Sequence, residues 1–192
     1  MSWTCRVIGS LLFSVLVSTV GHAADFGNEP EKNTAAGPRH EIRGGVLYHD
    51  TSGKESGVDL NAEYLSKWAA FDLFIPRTSV QAIFRPHIGA NLNLQGDTSY
   101  GYAGYSLTLN LTSRLFLEGS FGGMVHNGMS DSHDDSRLDL GCNVMFRESI
   151  AAGFRLTDDL NVSGILEHGS NAGSCSDNNG ITNVGIRVGY AF

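Results

Sequence analysis

The segment "NVSGILEHGS", Asn161 to Ser170, decides the fold. Its even positions are Val162, Gly164, Leu166, His168 and Ser170, and its odd positions are Asn161, Ser163, Ile165, Glu167 and Gly169. A period of two marks a strand, because successive side chains point to opposite faces. The closing segment "TNVGIRVGYAF" repeats the pattern, with Thr182, Val184, Ile186, Val188, Tyr190 and Phe192 set against Asn183, Gly185, Arg187, Gly189 and Ala191. One face is apolar; the other is polar or small.

The same alternation runs upstream. Val58, Leu60, Ala62 and Tyr64 oppose Asp59, Asn61 and Glu63; Ile88, Ala90, Leu92 and Leu94 oppose His87, Gly89, Asn91 and Asn93. Tyr105, Leu107, Leu109 and Leu111 oppose Ser106, Thr108 and Asn110, and Leu115, Leu117, Phe121 and Val125 oppose Glu118, Ser120 and His126. Val144, Phe146, Ile150, Phe154 and Leu156 oppose Asn143, Arg147, Ser149 and Arg155. With a less regular stretch from Ile42 to His49, this makes eight strands. Alternation alone also fits a soluble barrel or sandwich. The charges separate the cases. Asp59, Glu63, Glu118, Arg147, Arg155, Glu167 and Arg187 share the polar face in both signs, so they can pair inside a narrow lumen. The pattern predicts an all-β fold, an eight-stranded antiparallel transmembrane β-barrel with its apolar face turned to lipid.

Connections orient it. With both termini periplasmic, the stretches 50–57, 95–99, 128–140 and 173–180 lie outside, and 112–114 and 157–160 are the short periplasmic turns. The stretch 66–85 is long for a periplasmic turn, and Pro86 is expected to begin strand three, where a missing N–H is tolerated.

The start of the chain reads as an export signal. Arg6, the apolar run Val7 to Val20 and the small-residue end Gly21-His22-Ala23 describe a signal peptide over 1–23. Residues 24–38 are a polar, unpatterned lead-in, and 39–192 form the barrel. Of the 13 basic residues only Arg6 lies in the signal, so the remainder carries 12 against 20 acidic residues. That balance argues against a nucleic-acid partner. Cys5 leaves with the signal, and Cys142 and Cys175 remain as a pair in an exported protein, where disulfides persist. They are expected to bond, tying the loop after strand seven to the outer end of strand six.

His168 and Ser170 share the outward face at the outer end of strand seven, with Cα atoms about 6.7 Å apart. That is close enough for a base and a nucleophile to meet. An eight-stranded barrel fills its interior with side chains, so a substrate has to come from outside, and outside is lipid. The bland alternative is a solvated rim, since H-x-S is a short pattern. His126, Asp131, His133, Asp134 and Asp135 crowd one outer connection but read as a solvated acidic loop, so neither metal nor cofactor is expected.

"HGSNAG" at 168–173 with "NNG" at 178–180 resembles the PagL-type lipid A 3-O-deacylases, eight-stranded outer-membrane esterases. The likeness extends to "VDLNAEYL" (58–65), "RPHIGANLNLQGDTSYGYAG" (85–104) and "FRESIAAGFRL" (146–156). Phe192, with Tyr190 before it, resembles the terminal signature of outer-membrane barrels. The resemblance implies a general base at His168 and a nucleophile at Ser170. It gives Asn171, Gly173 and Asn178 to the motif loop or the oxyanion, lipopolysaccharide is the partner, and the site is the outer membrane. It also implies an acid fourteen residues after the histidine, where this chain has Thr182. Asp177 reaches the histidine only if its loop folds back, Glu167 points into the lumen, and Glu148 is expected to lie too far down its strand.

Three functions follow. One is an esterase acting on the lipid A part of lipopolysaccharide, with Thr182 in the acid's place. The second is a structural or binding barrel of the same fold that has lost catalysis, for which Thr182 is the best argument. The third, a small barrel with adhesive loops, is disfavoured by the short connection at 95–99. The sequence does not choose between a monomer and a homodimer.

Overall fold

The computed structural model describes residues 37–131 and 134–192; the expected signal peptide, most of the lead-in and His133 lie outside the described residues. The strands are β1 (Glu41–Tyr48), β2 (Val58–Leu65), β3 (Phe71–Phe74), β4 (Gln81–Asn93), β5 (Tyr100–Asn110), β6 (Leu115–His126), β7 (Val144–Arg155), β8 (Leu160–Ser170) and β9 (Ile181–Ala191). β1 pairs with both β2 and β9, β2 pairs with β4, and β4 to β9 follow one another antiparallel. Eight strands therefore close on themselves, and β3 hangs on β4 outside the ring.

The alternation places the two chemistries where the sequence pattern puts them. Ile42, Val46, Leu60, Ile88, Leu92, Phe121, Ile150 and Ile186 are between 45% and 62% exposed. So many bare apolar side chains suit hydrocarbon and not water. Arg43, Glu63, Arg85, Glu118, Arg147, Glu167 and Arg187 are buried in the lumen. Arg43 grips Glu118 with two bonds, 2.5 and 2.9 Å, and Glu41 with a third at 2.8 Å. Arg85 bonds to Glu41 at 2.7 Å and Arg187 to Glu63 at 2.8 Å. Arg147 bonds to Glu167, and its guanidinium lies 3.7 Å from the centre of the Tyr102 ring. Each charge is compensated by neighbours, as a low-dielectric interior demands.

The long connection departs from expectation. It holds a hairpin, in which β3 pairs with the first residues of β4 and Phe71 stacks on Phe84 at 4.7 Å. Pro86 is consequently not the start of its strand but lies inside β4. Its carbonyl accepts from the Ser66 N–H at 2.9 Å, so its nitrogen faces the same side, where β2 has ended and β3 has not yet begun. The missing N–H falls in a gap of the ladder and costs no bond.

At the other rim, loop 127–143 tucks inward. Leu138 and Leu140 are fully buried and pack with Tyr100, Tyr102, Met124, Met145 and Ile181. Beside them His49, buried after β1, has a carboxylate on each ring nitrogen: Asp59 at 2.9 Å and Glu55 at 3.1 Å. Glu55 also accepts from the Thr98 and Leu138 backbone N–H groups, so one side chain joins three loops. Burial works against charge on His49, but the bonds to Asp59 and Glu55 outweigh it and push its pKa up to about 9. Burial likewise opposes the Glu55 carboxylate, and the bonds from His49 and Thr98 outweigh it, bringing Glu55 down to about 2. A raised histidine stabilises fully below its unfolded value of 6.5 and loses that as pH climbs through 9; a lowered glutamate stabilises above 4.5 and loses that as pH falls through 2. The rim is thus tightest between these unfolded values, from 4.5 to 6.5. Amide exchange in loops 49–57 and 94–99, corrected for intrinsic rate, is expected to lose protection as pH rises from about 7 to 10. His49→Gln should flatten that dependence; a flat wild type would show that the cluster does not hold the rim.

Candidate active site

His168 and Ser170 sit at the end of β8 and point outward, both half-buried. The ladder sets Thr182 of β9 on one side of His168 and Glu148 of β7 on the other. The imidazole leans to β9, and Nδ1 lies 2.8 Å from Thr182 Oγ1. Gly180 makes room for it: a side chain there would put its Cβ 2.9 Å from His168 Cε1, and φ is +68°. Ser170 faces Phe146 across the ladder, and its hydroxyl makes no bond to His168. Pairs of this kind are often long without substrate and close when it binds.

The loop 171–180 is built around Asn171, which is buried. Its N–H donates to Asn178 Oδ1 at 2.9 Å, and its Nδ2 donates to the carbonyls of Leu140 at 2.8 Å and Asp177 at 2.5 Å. Its Oδ1 accepts from the Gly173 N–H at 2.9 Å, and the Ser174 N–H returns to the Asn171 carbonyl at 3.0 Å. Ala172 and Gly173 have φ of 52° and 77°, so the four residues form a left-handed turn of the I′ kind. The Asn171 side chain is fully occupied in holding the loop. Asn178 is exposed, and its Oδ1 accepts the Asn171 N–H.

Loop 127–143 braces this turn. Gly141, at φ +76°, approaches so closely that a Cβ would stand 1.9 Å from the Asp177 carbonyl oxygen. Next to it the Cys142–Cys175 disulfide joins the two loops across a Cα separation of 6.0 Å, as expected from the sequence.

The carboxylates near the motif sort differently from the sequence expectation in one case. Glu167 is in the lumen, bonded by Arg147, Tyr100 and Asn91. Asp177 turns its carbonyl to Asn171 while its carboxylate accepts from Ser176 at 3.0 Å, so the loop does not bring it to His168. Glu148, expected too far down its strand, is the Cα partner of His168. The hairpin at 156–159 sets this register, with Arg155 opposite Asn161, and counting up from that turn reaches Glu148 and His168 together.

Glu148, His168 and Thr182 line one end of an open groove of about 1070 Å³ on the outer wall. The rest of its lining is mostly apolar, with Phe84, Tyr105, Leu107, Phe121, Ile150 and Leu166 beside Ser106, Ser120, Ser149 and Glu167. A polar head with a hydrocarbon trough behind it suits an amphiphile lying in the membrane.

Fold and site together define an outer-membrane β-barrel with a histidine–hydroxyl pair at its lipid-facing rim. A sequence profile of the lipid A 3-O-deacylase (PagL) family matches residues 58–191, and the chain belongs to that family. Among solved structures, the outer-membrane enzyme PagL is similar with a TM-score of 0.64 and 16% identity, over 79% of this chain and 99% of that one. A de novo designed transmembrane β-barrel gives 0.46 at 13% identity, covering 86% of this chain and 100% of its own. The outer-membrane protein Ail of Yersinia pestis gives 0.45 at 12%, covering 80% and 99%. No curated protein sequence matches. Nothing in these comparisons supports a homodimer.

Asn171→Ala leaves the buried groups around it unpaired, at about 1–3 kcal/mol. Proteolysis within 171–180 is expected to speed up by about ten- to a hundredfold while the barrel keeps its heat-modifiable gel mobility. Unchanged protection would show that the disulfide alone holds the loop.

Proposed function

We propose that the protein hydrolyses an ester-linked acyl chain of lipid A, with Ser170 as nucleophile and His168 as base. The observation that carries this reading is the His168–Thr182 hydrogen bond, 2.8 Å, at the head of the apolar groove. With Nδ1–H donating to Thr182 Oγ1, the lone pair of Nε2 is free to take the Ser170 proton. Ser170 Oγ attacks the ester carbonyl carbon, and the oxyanion gathers donors from the turn; the Asn178 NH₂ group and the Ala172 N–H are the candidates. As the tetrahedral intermediate collapses, His168 returns the proton to the leaving sugar oxygen. Water then repeats the sequence on the acyl-serine, activated by the same imidazole. Family membership supports the substrate class, and the groove supports an acyl chain as the part held against the wall.

Thr182 orients the imidazole but brings no charge. In serine hydrolases the loss of the orienting carboxylate costs on the order of 10⁴ in turnover. That neutrality and the lack of a His168–Ser170 hydrogen bond favour the second reading, a barrel of this family with impaired or absent catalysis. Release of hydroxylated fatty acid from purified lipopolysaccharide separates the two. The esterase reading expects activity in the wild type and its loss, by about 10³-fold or more, in both Ser170→Ala and His168→Ala, with no further loss in the double variant. A silent wild type favours the second reading, and an undiminished Ser170→Ala removes the nucleophile.

A further inference from the structure

On the outward face of the eight barrel strands the polar side chains other than tyrosine are Glu148, His168, Ser170 and Thr182. Glu148 is the one acidic side chain among them, and it is exposed. Its surroundings give it no other employment. Its partner on β6 is Phe121, and its neighbours on the same face of β7 are Phe146 and Ile150. A carboxylate costs free energy on a lipid-facing wall, and such residues mark function more often than packing. The ladder makes it the direct cross-strand partner of His168. Same-face pairs of this kind have Cβ atoms about 4.5–5.5 Å apart.

We infer that Glu148 supplies, from β7, the negative charge that Thr182 on β9 does not, and so stabilises His168 when it takes up the nucleophile's proton. The inference rests on the reading of His168 as the base. The two side chains form no ion pair in the structure; the imidazole leans toward Thr182, and Glu148 borders the same groove end. Its action is through His168 and not on substrate, which makes it a positioning residue. Among the described residues no other titratable group faces the ring. β9 offers Thr182 and Val184, the loop offers Gly180, and β8 itself offers Leu166 and Ser170. Glu167, Arg147 and Asn183 point into the lumen, and Asp177 is engaged with Ser176. In the weakly screening surroundings of the lipid face, one charge at this range is felt strongly. The resemblance implies an acid at position 182, where this chain has Thr182; Glu148 stands on the opposite side of the same histidine.

The test has two readouts on the purified, folded barrel in detergent micelles or lipid nanodiscs, with heat-modifiable mobility confirming closure of each variant. The first is an NMR titration of the His168 imidazole, which needs no catalysis. Glu148→Gln is expected to move its midpoint to lower pH by about one unit or more. Glu148→Asp should move it less, and adding Thr182→Glu to Glu148→Gln should move it back. The second is the pH–rate profile on lipopolysaccharide. Glu148→Gln is expected to lower kcat/KM by about ten- to a hundredfold and shift the acid limb by the same interval as the titration. In a Thr182→Glu background the same change should cost less than about threefold, because the charge is already present. An unmoved midpoint overturns the inference whatever the activity. An active enzyme whose acid limb and rate ignore Glu148→Gln overturns it and leaves the esterase reading standing. A midpoint that moves in a silent protein upholds the link between Glu148 and His168 and sinks the esterase reading instead.

Discussion

A backbone N–H in hydrocarbon has no water to bond, so a sheet that crosses a membrane has to close. Here closure falls on β1, which is bonded to β9 on one side and β2 on the other. Once the ring is shut, parity leaves no freedom. Every second residue meets lipid, and every other one enters a lumen too narrow for water to solvate its charges. The chain answers with mutual compensation: Arg43 bridges Glu41, Glu63 and Glu118, and Arg147 meets Glu167 beneath the motif rim. The same constraint explains β3 and Pro86. A proline is acceptable inside a barrel strand only where its absent donor meets a gap in the ladder.

The rim is where this rule is relaxed, and the site uses that. His168 and Ser170 occupy the last positions of β8, where lipid tails give way to head groups and a polar side chain costs less. Precision there cannot come from a packed core. It comes from loop 127–143, which anchors itself in the lumen through Leu138 and Leu140 and then offers Asn171 a carbonyl, Asp177 a glycine and Cys175 a disulfide. The motif turn is rigid because a second loop is plugged into the barrel beside it. A substrate that lives in the outer leaflet would reach this turn sideways, its chain along the apolar wall and its ester at the rim.

Much of this was legible in the sequence, because a strand's period of two survives any detail of packing. The lumen charges, the lipid face, the position of the His–Ser pair and the cysteine bridge all follow from parity and order along the chain. The misses came from elsewhere. The β3 hairpin and the true start of β4 were hidden because Phe71–Phe74 is short and its partner stretch precedes a proline, which reads as a boundary. The expectation that Glu148 lies too far down its strand misses the register between β7 and β8. Neighbouring barrel strands are staggered, so outer ends do not align; β7 runs past Ser170, which faces Phe146. Short turns set register, and the turn after Arg155 held the answer. The resemblance assigns Asn171 to the motif loop, but its buried anchor, the Leu140 carbonyl 31 residues away, had no sequence signal, because a backbone acceptor is identity-blind.

The central claim is that this barrel removes an acyl chain from lipid A at its own outer wall. Its most direct test is the mass spectrum of lipid A from an otherwise unmodified lipopolysaccharide-bearing cell that expresses the wild type or the Ser170→Ala barrel at equal levels in the outer membrane. The account predicts a species lighter by one hydroxylated fatty acyl group with the wild type and not with Ser170→Ala. Identical spectra from the two, whether both altered or both unaltered, would contradict it.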